Sequence, residues 1–148
     1  MKLKHVLTTD AIEMNLKGTT KQEIIEELLD ILIKTGEVSD RENTLQQLLA
    51  RERKMSTGIQ FGVAIPHAKT RSVHELIACV GIKREGIDFA ALDGEPSSIF
   101  IMTLSPIDRV GPHVQFLAEI SRVVKERDAR ARILASKTAE EVLEVFGV

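Results

Sequence analysis

The chain is predicted to adopt an α/β fold in which a mixed β-sheet is covered by helices on its faces. Three observations predict it. Apolar residues recur at helical spacing in two segments near the N-terminus and again after residue 112. Short apolar runs rich in β-branched residues, at 63–65, 76–82 and 98–104, lie between those helical stripes. Helices that bracket several short buried strands form a layered domain, and a length of 148 residues suits one such domain over 1–148.

Residues 1–18 carry Ala11, Ile12 and Met14 among polar neighbours and read as a lead-in that ends in a turn or short extended piece. A first helix is expected from Thr20, with Thr19 or Thr20 as cap and Ile24, Ile25, Leu28, Leu29 and Leu32 on one face, ended by Gly36. Ser39 with Glu42 three residues later reads as a capping box for a second helix, whose buried face holds Leu45, Leu48 and Leu49 and which runs to about Arg53. A strand follows at 63–65, then a polar loop over 70–75 and a buried strand over 76–82. Another strand is plausible at 88–92, before the turn signal Asp93-Gly94-Glu95-Pro96. The isoleucine-rich strand 98–104 is expected to stop at Ser105 and Pro106. Pro112 suits the first turn of a third helix with Phe116, Leu117, Ile120, Val123 and Val124 as its stripe. Two short helices close the chain, one over 128–135 and one after the capping pair Thr138 and Glu141.

Composition excludes several classes. The net charge is −2 and Lys and Arg are interspersed with Asp and Glu, so there is no footprint for a nucleic acid. No apolar run approaches the roughly 18 residues of a membrane span, and the first residues are too polar for a secretory signal. A soluble, cytoplasmic protein with no membrane insertion is expected. The single cysteine, Cys79, lies in an apolar run and reads as a small buried hydrophobe. No phosphate-cradling G-x-x-x-x-G-K-[ST] run and no metal-ligand spacing occurs, so neither a nucleotide nor a metal cofactor is expected. His5 and His74 have no recognisable partners and are placed on the surface.

Chemistry concentrates in residues 51–68. Arg51 to Arg53 form the basic end of a helix, and Ser56, Thr57 and Gly58 break it. Pro66 favours an extended Ile65, so His67 stands where a strand emerges. Its imidazole, with an unperturbed pKa of about 6.5, offers a neutral nitrogen nucleophile. Spacing alone equally allows a strand-end histidine bonded to a carbonyl.

Arg51, then Ser56-Thr57-Gly58-Ile59, then Gly62-Val63-Ala64-Ile65-Pro66-His67-Ala68, with a second segment Pro112-His113-Val114-Gln115-Phe116-Leu117-Ala118, closely resembles the signature of one family. These are the IIA components of the fructose and mannitol class of the bacterial phosphoenolpyruvate-dependent sugar phosphotransferase system, including its nitrogen-regulatory branch. Gln60 and Phe61 depart from the pattern, standing where the family usually has a glycine and a small polar residue. The resemblance implies the same fold and a phosphohistidine carrier. His67 would accept a phosphoryl group from the phosphocarrier HPr on Nε2 and pass it to a IIB protein or domain, or signal to a regulatory target. Arg51 would grip phosphoryl oxygens, although a cation there also suits the helix dipole. His113 would donate a hydrogen bond or hold the His67 ring, although a first-turn histidine can simply cap. Ser56, Thr57 and Gly58 would support the phosphoryl group with hydroxyls and amides, or serve only as a helix stop.

Overall fold

The computed structural model describes residues 3–148. After two single 3-10 turns at Leu3–His5 and Thr9–Ala11, the order is β1 (Ile12–Glu13), α1 (Lys21–Ile33), α2 (Arg41–Lys54), β2 (Val63–Ala64), β3 (His67–Thr70), β4 (Ile77–Ile87), β5 (Ser97–Pro106), α3 (Val110–Val124), α4 (Arg127–Ala135) and α5 (Ala139–Val145). The mixed α/β architecture agrees with the expectation.

The antiparallel pair β4–β5 is the spine of the sheet, with Cys79 opposite Met102 and Gly81 opposite Phe100. β1 joins the outer edge of β4 in parallel, while β2 and β3 pair in parallel with β5, one after the other. Strand alternation then divides the interior. One face carries Ala64, Ala68, Phe100, Met102 and Leu104 against the buried stripe of α1 and α2, which includes Ile24, Leu28 and Leu48. The other carries Val63, Ile65, Ile99 and Ile101 against Phe116, Ile120, Ile133 and Val142 of the last three helices. Cys79 is fully buried in the first core.

The structure moves several boundaries. Ser39 does not cap α2; Asp40 does, accepting from the Asn43 amide at 3.0 Å, while Ser39 donates through its backbone to Ser72 O. No strand forms at 88–92. Asp88 Oδ1 accepts the Ala90 amide at 2.9 Å, Ala90 turns to φ 55°, and the segment lets the fully buried Phe89 meet Phe100 edge-on at 5.2 Å. β4 extends to Ile87, and β5 continues through Ser105 and Pro106 because Pro106 ends an edge-paired stretch opposite Thr70, where no ladder donor is demanded of it. The strand β3 falls partly on the expected polar loop; its alternation is short and half-polar.

Candidate functional site

Arg51 lies in the last turn of α2, one turn beyond Gln47, and its Nη1 donates to Met55 O at 2.8 Å, which ties down the C-terminal end of the helix. The next residue does something the sequence did not disclose. Glu52 is buried, accepts from the Thr57 amide at 2.8 Å and from its hydroxyl at 2.5 Å, and pairs with Lys21 Nζ of α1 at 2.7 Å. One carboxylate thus pins the connection between α2 and β2 to both N-terminal helices.

This wiring also decides what Ser56, Thr57 and Gly58 do. Thr57 spends both donors on Glu52, Ser56 Oγ donates to Phe89 O and accepts from the Gly58 amide, and Gly58 packs on Ala91 and Phe89. None of the three lines the cavity in front of His67. Their donors hold the scaffold behind the cavity.

His67 opens β3 directly after Pro66, whose carbonyl accepts from the Thr103 amide at 3.0 Å. Its Nδ1 lies 2.9 Å from Ile65 O. A carbonyl accepts only, so Nδ1 carries the proton and the neutral ring keeps its lone pair on Nε2. His113 is buried in the first turns of α3, with Nδ1 3.4 Å from Ser105 Oγ, and its ring centroid is 5.3 Å from that of His67, tilted by 46°. The two segments, 46 positions apart in sequence, meet because β3 pairs with the C-terminal half of β5 and α3 follows that end of β5 in the chain.

A cavity of about 450 Å³ opens in front of the rings. Its α2 wall is Gln47, Ala50, Arg51 and Lys54; its opposite wall is His67, Ala68 and Lys69 of β3 with His113 of α3. Arg51, His67 and His113 therefore share one space. Lys54, Lys69 and Gln47 were not singled out from the sequence, yet the signal for Lys69 existed: in a strand, residues two apart share a face. Gln47 Oε1 is buried without a hydrogen-bond partner.

The electrostatics favour neutral rings awaiting an anion. Burial lowers the His67 pKa from its ordinary 6.5 in spite of the Ile65 carbonyl, with Arg51 and Lys69 adding to the effect and Glu52 opposing it. His113 is lowered by burial, then by His67 and Lys69. Three cations and no carboxylate line the cavity, so an incoming dianion meets positive charge on both walls. Among the described residues no cluster of three or more His, Cys, Asp or Glu is placed to hold a metal ion, and no helix is long and apolar enough to cross a membrane. His5 and His74 are exposed, away from this cavity.

The fructose-specific EIIA component of Haloferax volcanii is 36% identical over 137 residues, covering 93% of this chain and 89% of that protein. The chain matches the fructose-specific EIIABC component of Bacillus subtilis at 30% identity over 99% of its own length but spans only 23% of that longer protein. Among solved structures, the nitrogen regulatory protein IIA-Ntr of Neisseria meningitidis superposes with a TM-score of 0.90 at 27% identity, covering 97% of this chain and 98% of that one. The Escherichia coli IIA of mannitol, solved in complex with phosphorylated IIB, shares the fold with a TM-score of 0.81 at 21% identity over 95% of this chain and 96% of that one. The family model for the phosphoenolpyruvate-dependent sugar phosphotransferase system, EIIA 2, matches residues 5–147, nearly the whole folded chain just described. The chain therefore belongs to the EIIA 2 family of that phosphotransferase system.

Proposed function

We propose that the protein is a phosphoryl carrier, a single IIA domain over 1–148 that takes a phosphoryl group from an HPr-type phosphocarrier onto His67 and gives it to a IIB partner in the cytoplasm. The observation that supports this most is the bond from Nδ1 to Ile65 O, which leaves Nε2 as the one ring nitrogen with a lone pair beside a cationic cavity. In the forward step that lone pair forms a bond to phosphorus as the P–N bond of the donor breaks and its electron pair returns to the donor's ring. The phosphorylated ring keeps the Nδ1 proton, and its developing positive charge is stabilised by the Ile65 carbonyl. Little covalent work falls to the protein, because phosphoryl transfer passes through a loose transition state governed by alignment and charge.

In this reading Arg51 grips equatorial oxygens with its planar fork, and His113 supplies a ring N–H to the same group or holds the His67 ring in place. Transfer onward proceeds to a cysteine thiolate of IIB, forming an S–P bond as the N–P bond breaks. A second reading is favoured by the likeness to the Neisseria nitrogen regulatory protein. There the phosphorylation state of His67 controls binding to a regulatory target and no sugar receives the group. Incubation with phosphoenolpyruvate, the general phosphotransferase enzyme and HPr tests the shared core: an acid-labile phosphoryl group is expected on the wild type and none on His67→Ala. Equal labelling of both proteins would end the proposal. Chasing the phosphoprotein with IIB proteins then separates the two readings.

A further inference from the structure

His113 has one ring proton to place, because burial, His67 and Lys69 hold its pKa below the ordinary 6.5 and the ring is neutral near neutral pH. Which nitrogen carries that proton decides whether the ring donates into the cavity or only accepts from it. The answer lies on β5. Thr103 and Ser105, two residues apart and so on one face of the strand, continue the row of Ile99 and Ile101 towards α3. Both are fully buried. Thr103, in register beside His67, has a hydroxyl with no hydrogen-bond partner among the described residues, so this layer holds few spare acceptors. Among the described residues Ser105 Oγ has one partner, His113 Nδ1, at 3.4 Å.

A serine hydroxyl can donate or accept, and the two arrangements are not equal here. If Nδ1 carried the proton, Ser105 would accept it and its own hydroxyl hydrogen would be left buried without an acceptor, which is costly. If Ser105 donates, Nδ1 accepts, both groups are paired, and the ring proton goes to Nε2, the nitrogen left for the cavity that His113 lines with His67. Resting on the carrier reading above, we infer that Ser105 is a positioning residue: its hydroxyl donates to His113 Nδ1 and so makes His113 a neutral Nε2–H donor to the phosphoryl group on His67. The two rings then hold opposite tautomers. Ile65 O keeps the proton of His67 on Nδ1 and its lone pair on Nε2, whereas Ser105 keeps the lone pair of His113 on Nδ1 and its proton on Nε2. With centroids 5.3 Å apart, one ring offers a nucleophile and the other a hydrogen bond to the oxygens of the group it receives. At 3.4 Å the serine bond is long; a phosphoryl group that accepts from Nε2–H polarises the ring and strengthens it.

Long-range proton–nitrogen correlation spectra of the imidazoles, recorded on the unphosphorylated protein at mildly alkaline pH, read both tautomers directly. His113 is expected as the Nε2–H form and His67 as the Nδ1–H form. In Ser105→Ala the His113 signals are expected to move to a mixture of the two forms, and kcat for transfer from a phosphorylated HPr-type carrier to fall about tenfold with KM unchanged. Ser105→Thr is expected to restore both the tautomer and kcat, while Ser105→Val, which has the shape of threonine without the hydroxyl, behaves as Ser105→Ala. A wild-type His113 protonated on Nδ1 would overturn the inference, and so would a Ser105→Ala protein with the wild-type tautomer or with a kcat within about twofold of wild type. The wild-type spectrum needs no substitution, so the inference can fail even where a variant does not fold. A wild type that accepts no phosphoryl group on His67 from the carrier would sink the carrier reading and the role of the Nε2–H donor with it, whereas failure of the tautomer leaves the carrier reading standing.

Discussion

His67 and His113 combine two properties that reinforce each other: both rings are kept neutral, and both face positive charge, which itself disfavours their protonation. Burial depresses their pKa values below 6.5, so the unfolded chain binds protons that the native chain refuses. The stability contributed by the neutral rings is complete above pH 6.5 and is lost as the pH falls through that value towards the depressed native ones. Denaturant unfolding across an acidic pH series is expected to show this decline, and His67→Ala is expected to flatten it; an identical profile in wild type and variant would contradict it. Among the described residues the Arg51 side chain makes one hydrogen bond, to the Met55 carbonyl, and so Arg51→Ala is expected to cost only about 1 kcal/mol of stability. If its guanidinium meets the phosphoryl group, transfer falls about a hundredfold in the same variant. Parallel measurement of unfolding and of single-turnover transfer separates the roles, since matched losses would make Arg51 a helix-end residue.

Among the elements, the end of α2 and the segment behind it set the geometry of the cavity. Glu52→Ala strands the Thr57 amide and hydroxyl and releases Lys21, which can regain water because its side chain is 27% exposed. A loss of about 2–3 kcal/mol is expected in equilibrium unfolding, with hydrogen exchange rising over 55–62; a change below about 0.5 kcal/mol would show that the carboxylate is dispensable. The importance of Glu52 was not legible in the sequence, where it is one acid between two arginines, because its value lies in contacts with Lys21 and Thr57 that only the folded chain brings together. The strong stripes of α1, α2 and α3, by contrast, could be read directly, since a buried helical face repeats locally. β3 was missed because an edge strand of His, Ala, Lys and Thr has neither the apolar run nor the clean alternation that marks a buried one. The end of Asp88–Leu92 as a strand has the same origin in reverse: apolar residues were present, but the Asx turn at Asp88 and the reach of Phe89 into the core decided the backbone.

At the scale of the whole molecule, the sheet separates two cores, and the site sits where β3, α2 and α3 converge beside its β2–β3 edge. The alignment of His67 with Arg51 therefore depends on how closely α1 and α2 approach the sheet. Gly81 sets one such approach, as a Cβ there would stand 2.7 Å from Leu16 Cδ1 and 2.8 Å from Leu28 Cδ2. Gly81→Ala is expected to cost about 1–3 kcal/mol, measured as a lowered midpoint of denaturant unfolding, and a stability equal to wild type would mean that α1 can yield at no cost. The signature residues needed no such long-range information to be found, because their order along the chain carried the family resemblance; their meeting in one cavity is what folding adds. The most direct measurement of the central claim is phosphorus NMR of the protein after transfer from phosphorylated HPr. The account predicts one phosphohistidine signal, from an Nε2-linked group that disappears with His67→Ala. A signal from an Nδ1-linked group, or one that survives the loss of His67, would contradict it.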